Sequence, residues 1–435
     1  MAAETLFAPA SGFGRAAICV LRLTGPSCAE VIARLAGSVP EPRRLSLRRL
    51  RDPADGSLLD QALVVHMPGP STFTGEDMAE LHLHGGLAVR AVVLRVLAGL
   101  PDCRMAEPGD FARRAVLNGR LGPTEAEGIA DLVDAETEAQ RRQALRQLDG
   151  ALARQVAAWR EEAIACLAGA EAALDFADED DVDDAGLDAA LFARAGALAD
   201  AIRAALADGR RGERLREGFH AVLVGAPNAG KSTLLNALSR RDAAIVSSRP
   251  GTTRDAIEVR CDLGGLPVIL VDTAGLRETA DEIEAQGIAR TRRHIERADL
   301  VLVLVPAGEE ADLTDLPPSA LRVRTKCDLG GSAQEGWLGV SALTGEGLPA
   351  LLAAIEARAQ ADLGAGEALL TRERHRLALT RCRDHLDAVA AGVGAPPELV
   401  CEDLRLAARA LGEVGGQVGV EDVLDRLFSG FCIGK

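Results

Sequence analysis

The sequence predicts a multidomain protein: an N-terminal α+β domain, then an all-α domain, with an α/β unit on a mostly parallel sheet inserted into the helical part. Three observations lead there. At 435 residues the chain is long enough for roughly two to four domains, each with its own core. Short apolar runs broken by Gly and Pro fill residues 1–118, and long Ala/Leu/Arg/Glu stretches follow. Apolar, β-branched runs alternating with helical stretches then occupy 218–362, the pattern of a parallel sheet covered on both faces.

Taken in order, AAICVLRL, QALVVHM and MAELHLHGG read as strands of the first domain, 1–118. The stretch ALARQVAAWREEAIACLAGAEAAL, residues 151–174, has helical spacing and no proline, so 119–217 is the first part of the helical domain. The acidic run DFADEDDVDDAGLD, 175–188, reads as a solvated junction, because it lacks the glycine that an EF-hand loop needs at its turn. In 218–362, HAVLVG, LPVILVD, LVLVLVP and LRVRT read as buried strands. Residues 367–428 return to helical texture and are expected to pack back on 120–215, so 363–435 is the second part of the helical domain and the α/β unit an insertion.

Composition narrows the class. Hydrophobic residues make up 48% and charged residues 26%, as in ordinary soluble proteins. A net charge of −16 argues against a broad, non-specific grip on nucleic acid and leaves a local basic patch open. No apolar run approaches the roughly 20 residues that cross a bilayer, and MAAETLFAPASGFGR lacks the regions of a signal peptide. Nine cysteines without a CxxC read as reduced thiols, so a cytoplasmic location is expected. Only Lys231, Lys326 and Lys435 are lysines among 49 basic residues. Arginine is a planar fork and lysine a compact point charge, so a retained lysine points to a site that uses the point charge.

HAVLVGAPNAGKSTLLNAL is a strand, a glycine-rich loop and a helix start. Gly225, Gly230, Lys231 and Ser232 fit the P-loop pattern in its strand–loop–helix context. Backbone N–H groups of such a loop cradle phosphates, the lysine reaches the β/γ oxygens, and the serine hydroxyl ligates Mg²⁺. Thr252 and Thr253 of PGTTRD lie where a mobile loop closes over Mg²⁺ and the γ-phosphate. DTAG ends an apolar strand, which puts Asp272 near the metal and the Gly275 N–H near the γ-phosphate. TKCD (325–328) and SAL (341–343) each follow an apolar run, where base-reading loops belong. A carboxylate at Asp328 accepts from both guanine N1–H and N2–H₂, which adenine cannot offer, so the base is guanine. The GTP-binding set is therefore Asn228, Ala229, Gly230, Lys231, Ser232, Thr233, Ser247, Thr252, Thr253, Asp272, Thr273, Ala274, Gly275, Thr325, Lys326, Asp328, Ser341, Ala342 and Leu343. GTPases usually have Asn where this chain has Thr325. A hydroxyl makes fewer bonds than a carboxamide, so weaker nucleotide affinity is expected.

Leu276 follows DTAG, where Ras-like enzymes carry a water-positioning Gln, and an apolar side chain cannot orient water. Asn228 together with GTTRD resembles the potassium-dependent GTPases that share this substitution. That resemblance implies K⁺ in place of an arginine finger, held by Asn228, Ser247, the Arg249 carbonyl and Thr252. A finger is worth roughly 10³–10⁵ in rate. Alone, Asn228 also reads as a residue that stabilises a tight turn.

GAPNAGKS, GTTRD and DTAGLRE, with LRLTG, PGPSTFTGEDMAELHLHGG and the terminal FCIGK, together resemble the TrmE/MnmE family of tRNA modification GTPases, in the family's order over the whole chain. The resemblance implies a Ras-like G domain and a homodimer joined through N-terminal domains that bind a reduced folate. It implies an FAD-containing MnmG-type partner, in a heterotetramer or larger assembly, and modification of C5 of the wobble uridine in certain tRNAs. GTP hydrolysis is then linked to G-domain dimerisation, with Glu284 as the water-positioning residue beside Lys231. From RETADEIEAQG alone, Glu284 could equally be a solvated helix residue. The folate positions fall on Arg22, Glu80, Arg120 (where the family often has Lys) and Lys435. Cys432 is implied to be catalytic, and on residue chemistry it is simply a thiol. Phe428, Phe431 and Ile433 argue against a frayed terminus, since exposing them is unfavourable.

Other signals are set aside. CIGK is a poor prenylation box, and GFGRAA precedes a strand where a dinucleotide motif needs a helix. His82 and His84 share one strand face and read as packed or hydrogen-bonded residues, lacking further metal ligands. Two rival functions remain. A ribosome-assembly GTPase of the Era/Der type predicts a basic RNA-binding module and no folate site, and a GTP-binding scaffold predicts negligible turnover.

Overall fold

The structure is a computed structural model and describes residues 4–12, 14–175, 187–241, 243–245, 257–272, 295–296, 298–310, 317–330, 335–364, 368–417, 431 and 434. The chain divides into two units: Met1–Ala130, Gln147–Asp178 and Cys401–Lys435 form one, and Asp131–Arg146 with Glu179–Val400 the other.

The first unit is built on six strands: β1 Thr5–Pro9, β2 Ile18–Thr24, β3 Ser46–Arg51, β4 Leu58–Met67, β5 Met78–His84 and β6 Cys103–Met105, in the order β3-β4-β5-β2-β1-β6. Only the β1–β6 pair is parallel. Period-2 alternation decides the faces: in ICVLRLT, Cys19, Leu21 and Leu23 turn inward and Arg22 turns to the other side. Helices α1 Cys28–Ala36 and α2 Leu87–Ala98 pack on the inward face. Phe7, Leu21, Leu23, Ile32, Leu35, Leu81, Leu83 and Leu97 meet there, each stabilising by about 1.5–3 kcal/mol when fully buried. α1 stops at Gly37, whose left-handed φ of 78° lets its N–H reach the Ala33 carbonyl.

Helices α3 Asp110–Leu117, α4 Pro123–Asp134 and α5 Glu138–Leu148 follow, then the expected long helix, α6 Ala151–Asp175. On α6, Leu152, Val156, Trp159, Ala163, Cys166 and Ala170 are buried; alternate steps of four and three residues keep them on one stripe.

In the second unit, α7 Ala189–Glu217 is capped by Asp188, whose carboxylate accepts from the Ala190 N–H at 2.9 Å. A six-stranded sheet follows, from β7 Phe219–Val224, β8 Ile257–Leu263, β9 Leu266–Asp272, β10 Leu300–Pro306, β11 Leu321–Thr325 and β12 Leu338–Gly339, in the order β12-β11-β10-β7-β9-β8. Every pairing except β8–β9 is parallel, and β9 and β10 are buried throughout, as the unbroken runs LPVILVD and LVLVLVP predict. α8 Lys231–Ser239 and α9 Leu348–Leu363 contribute to its core. α10 Glu373–Ala391 then packs on α7, so the chain returns to the helix that precedes the sheet. Close approach needs glycine there: a Cβ on Gly212 would lie 2.0 Å from the Leu370 carbonyl oxygen. Arg376–Glu213 at 3.1 Å and Arg203–Asp387 at 2.7 Å join the two helices at the surface. α11 Pro397–Gly415 is the last described helix. An α+β part, a helical part and an inserted P-loop unit are thus the fold class the sequence predicts.

Candidate active site

The loop from Gly225 to Gly230 joins β7 to α8. A Cβ on Gly225 would stand 2.4 Å from the Leu304 carbonyl oxygen, so β10 leaves room only for glycine. Asn228 (φ 66°) and Gly230 (φ 94°) are both left-handed, which curls the backbone around the start of α8. Side-chain bonding makes Asn one of the few residues that tolerate this conformation. Lys231 is buried, and its Nζ donates to the carbonyls of Gly225 at 2.7 Å and Ala226 at 3.0 Å. The ammonium therefore lies over the loop that precedes the α8 N-terminus, where amide dipoles favour an anion.

Asp272 ends β9 and is fully buried. It accepts from the Ser232 hydroxyl at 2.5 Å. Two oxygens forty residues apart in sequence thus meet beside the loop, the donor type a hard divalent cation takes.

Thr325, at the end of β11, is buried, and its hydroxyl donates to the Ala229 carbonyl at 2.7 Å. This bond ties the end of β11 to the Gly225–Gly230 loop. Removing it leaves a buried carbonyl unsatisfied at a cost of about 1–3 kcal/mol. Thr325→Val is accordingly expected to lower Tm and weaken GDP binding by about ten-fold, a loss within that range, while Thr325→Ser retains both. Differential scanning calorimetry and nucleotide titration check this, and equal behaviour of the two variants would discount the tie.

Lys326 is left-handed (φ 58°) and opens a 3₁₀ turn, Cys327–Leu329. The turn exposes Asp328, whose Oδ1 accepts from the Ser341 hydroxyl at 2.6 Å. Ser341 is fully buried, and its Oγ also accepts from the Thr344 N–H at 3.1 Å. TKCD and SAL therefore converge: one supplies a carboxylate and the other holds it, with Ala342 half-buried and Leu343 exposed beside them. Thr233 is exposed on the first turn of α8.

In the other unit, Arg22 and Glu80 are cross-strand partners on β2 and β5. Arg22 donates to Glu80 Oε1 through Nε at 3.1 Å and Nη2 at 3.0 Å, and His82 Nε2 lies 3.1 Å from Oε2. His82 is thus hydrogen-bonded, and His84 likewise bonds to Asp60 at 2.7 Å. Among the described residues no group of three or more His, Cys, Asp or Glu side chains could hold a metal ion. Arg120 is exposed and lies against Gly75, so the described contacts do not bring it to the Arg22–Glu80 pair. Phe431 is buried with Ala112 and Ala126, and a Cβ on Gly434 would lie 2.2 Å from the Pro9 carbonyl oxygen. Gly434 therefore lies against the end of β1. STFTGEDM also supplies two members of a network that no motif marks: Thr24 bonds Thr74 at 2.6 Å and Glu76 at 3.1 Å, and Arg114 donates to Glu76 at 2.7 Å.

The predicted residues Ser247, Arg249, Thr252, Thr253, Thr273, Ala274, Gly275, Glu284, Cys432 and Lys435 lie outside the described residues. Among the described cysteines, burial pushes the Cys261 thiol up to about 11 and Cys382 up to about 12, which keeps both protonated and unreactive at neutral pH.

Two family descriptions match the chain: "GTP-binding protein TrmE N-terminus" over residues 5–120 and "MnmE helical domain" over residues 124–432. The chain is 73% identical to the tRNA modification GTPase MnmE of Methylorubrum populi, covering 99% of this chain and 98% of that one. It is 69% identical to the MnmE of Methylobacterium radiotolerans over 99% of both chains. Against the MnmE of Rhodospirillum rubrum the identity is 52%, over the full length of both.

Proposed function

The chain belongs to the MnmE (TrmE) family of tRNA modification GTPases, and from that premise we propose that it works with an FAD-containing MnmG-type partner to modify tRNA wobble uridine. The group added at C5 is aminomethyl or carboxymethylaminomethyl, with a reduced folate as one-carbon donor. The protein acts in the cytoplasm as a homodimer whose G domains associate during GTP turnover. The observation that carries the GTP half is the convergence of Lys231, Ser232 and Asp272 at one end of the sheet, with Asp328 and Ser341 paired at the base-reading loops. In domain terms, 1–118 binds folate and dimerises, 218–362 hydrolyses GTP, and 119–217 with 363–435 forms the helical domain that ends in FCIGK.

In this reading Asp328 accepts from guanine N1–H and N2–H₂, and Ser341 keeps the carboxylate oriented. Lys231 exchanges its loop carbonyls for β/γ-phosphate oxygens. Ser232, with Thr253, holds Mg²⁺, for which the Ser232–Asp272 oxygen pair is suited. When bound, Mg²⁺ and K⁺ neutralise charge that develops on the transferring phosphoryl group. Asn228, Ser247, Arg249 and Thr252 hold the K⁺, and Glu284 orients water. The folate half rests on Arg22 and Glu80: a guanidinium suits folate carboxylates and a carboxylate suits pterin N–H groups. By the family resemblance Arg120 and Lys435 also serve the folate, although the described contacts of Arg120, against Gly75, do not bring it to the Arg22–Glu80 pair, and Cys432 is the catalytic thiol.

GTP turnover is expected to rise in KCl over NaCl at equal ionic strength, by about 10-fold or more if K⁺ supplies even part of a finger's effect. Steady-state phosphate release in the two salts tests this, and equal rates would overturn the potassium assignment. Titrating a reduced folate into the full chain and into one lacking Lys435 tests the other half; absence of binding to both would sink it.

A further inference from the structure

The segment RRLSLRRLR, residues 43–51, holds five arginines and no acid, in a chain whose net charge is −16. It ends as β3, which lies at the margin of the first unit's sheet among the described strands and pairs with β4 on one side only. Leu47, Arg49 and Arg51 are exposed and Leu50 is buried, with the pairing to β4 shifting by one residue between Leu50 and Arg51. Arg48, Arg49 and Arg51 have no ion pair among the described residues: Arg48 donates to the Leu47 carbonyl at 3.1 Å and Arg51 to the Gly56 carbonyl at 2.8 Å, while the Arg43 side chain donates to the carbonyls of Pro68 and Ser71. Arg44 alone meets a carboxylate, Glu41, at 2.8 Å, and both side chains are about three-quarters exposed. The acids of the β3–β4 turn are engaged locally: Asp52 accepts from the Ala54 N–H and Asp55 from the Ser57 N–H, at 2.9 and 2.8 Å.

Elsewhere in this unit Arg22, Arg104 and Arg114 each meet a carboxylate at 2.7–3.1 Å, whereas the exposed arginines of β3 meet none among the described residues, so this row is open to an external anion. Side chains two residues apart on a strand repeat at about 6.7 Å, a spacing comparable with that of successive phosphates on one RNA strand. The unpaired N–H groups of a sheet edge add donors that phosphate and sugar oxygens accept. The family's substrate is a tRNA, a polyanion of this kind. We propose that the β3 edge, through Arg49 and Arg51 with Arg43 and Arg44 flanking them, is a docking surface for the tRNA phosphate backbone. It positions the RNA and carries no sequence information, because guanidinium contacts to phosphate are blind to the base. The proposal rests on the chain acting on tRNA and is independent of the folate and potassium assignments.

The test is a fluorescence-anisotropy titration of an unmodified tRNA transcript with the full-length protein at several KCl concentrations. Arg49→Gln with Arg51→Gln is expected to weaken binding about ten-fold at low salt and to reduce the slope of log K against log salt by about 2, near one per phosphate contact. Arg49→Lys with Arg51→Lys should keep most of both, and GTP turnover without tRNA should not change. Charged edges also prevent strand-to-strand aggregation. Arg49→Asp with Arg51→Asp therefore keeps the edge charged while repelling phosphate, and should bind tRNA least. Unchanged affinity and slope in the Gln and Asp pairs would overturn the proposal. So would an equal loss in Arg322→Gln with Arg358→Gln, two exposed arginines of the second unit. No salt-dependent binding by the parent protein would overturn it together with the tRNA premise, which separates the two failures.

Discussion

Replacing Lys231 by Met is expected to lower kcat/KM for GTP by about 10³-fold, near 4 kcal/mol of transition-state stabilisation. Loss of a single preorganised neutral donor at such a centre costs 10²–10³-fold, and here a full charge is lost as well. Met keeps most of the side-chain volume, so the buried position stays filled. What disappears is the ammonium that now donates to the Gly225 and Ala226 carbonyls. Those carbonyls then lose a donor, at about 1–3 kcal/mol in stability, so thermal melting must accompany the kinetics. Lys231→Arg should fare little better, since a planar fork cannot occupy a place shaped for a compact ammonium. Single-turnover phosphate release is the measurement. Turnover within three-fold of the parent would mean that phosphate transfer takes place elsewhere.

Asp328→Asn should exchange one base for another. Guanine presents two donors, N1–H and N2–H₂, to a carboxylate that has two acceptor oxygens. The carboxamide keeps one acceptor and turns the other into a donor. It therefore opposes the N2 amino group of guanine and suits the C2 carbonyl of xanthine. Losing one charge-assisted bond at about 1.5–3 kcal/mol, with the other no longer charge-assisted, puts the loss of GTP affinity on the order of 10–10³-fold, with XTP gaining in turn. The exchange should leave the loop intact, because the Asn carbonyl can still accept from the Ser341 hydroxyl as Asp328 Oδ1 does at 2.6 Å. Competition of XTP and GTP against a labelled nucleotide is decisive, and an unchanged preference for GTP would remove Asp328 from the base site. With family membership shown over the full chain, the ribosome-assembly reading has no support left.

The backbone of the Gly225–Ser232 segment was legible because its residues are contiguous. GAPNAGKS states its own backbone: glycines at Gly225 and Gly230 permit the approach to Leu304 and the left-handed turn, and Asn228 tolerates a positive φ. The base-reading loops were legible for a related reason, since each closes an unbroken apolar run that can only be a buried strand. Thr325 shows the limit. Counting hydrogen-bonding capacity predicted weaker nucleotide affinity, whereas the structure finds the hydroxyl spent on the Ala229 carbonyl, a partner 96 residues away. In the structure this hydroxyl holds the loop.

The N-terminal site was legible only through the family. Arg22 and Glu80 are named by motif, yet nothing in LRLTG or MAELHLH says that they face each other or that His82 completes the carboxylate's partners. Register decides that, and a slip of one residue between β2 and β5 would send Glu80 to the opposite face. The Thr24–Thr74–Glu76–Arg114 network is equally hidden, because it joins a strand end, a loop and a helix far apart in the chain.

By itself the sequence determined the fold class, the strand–loop–helix backbone of GAPNAGKS and the GTPase family. Each is written in local backbone preference, in hydrophobic period or in a motif of a few adjacent residues. Only the tertiary structure decided that Ser232 meets Asp272, that Thr325 ties the end of β11 to the Gly225–Gly230 loop, that Phe431 is buried with Ala112, and that the arginines of β3 line a sheet edge. These depend on strand register and on which side chains fill one another's space. Such pairings are settled cooperatively across the whole core, and no short stretch of chain contains them.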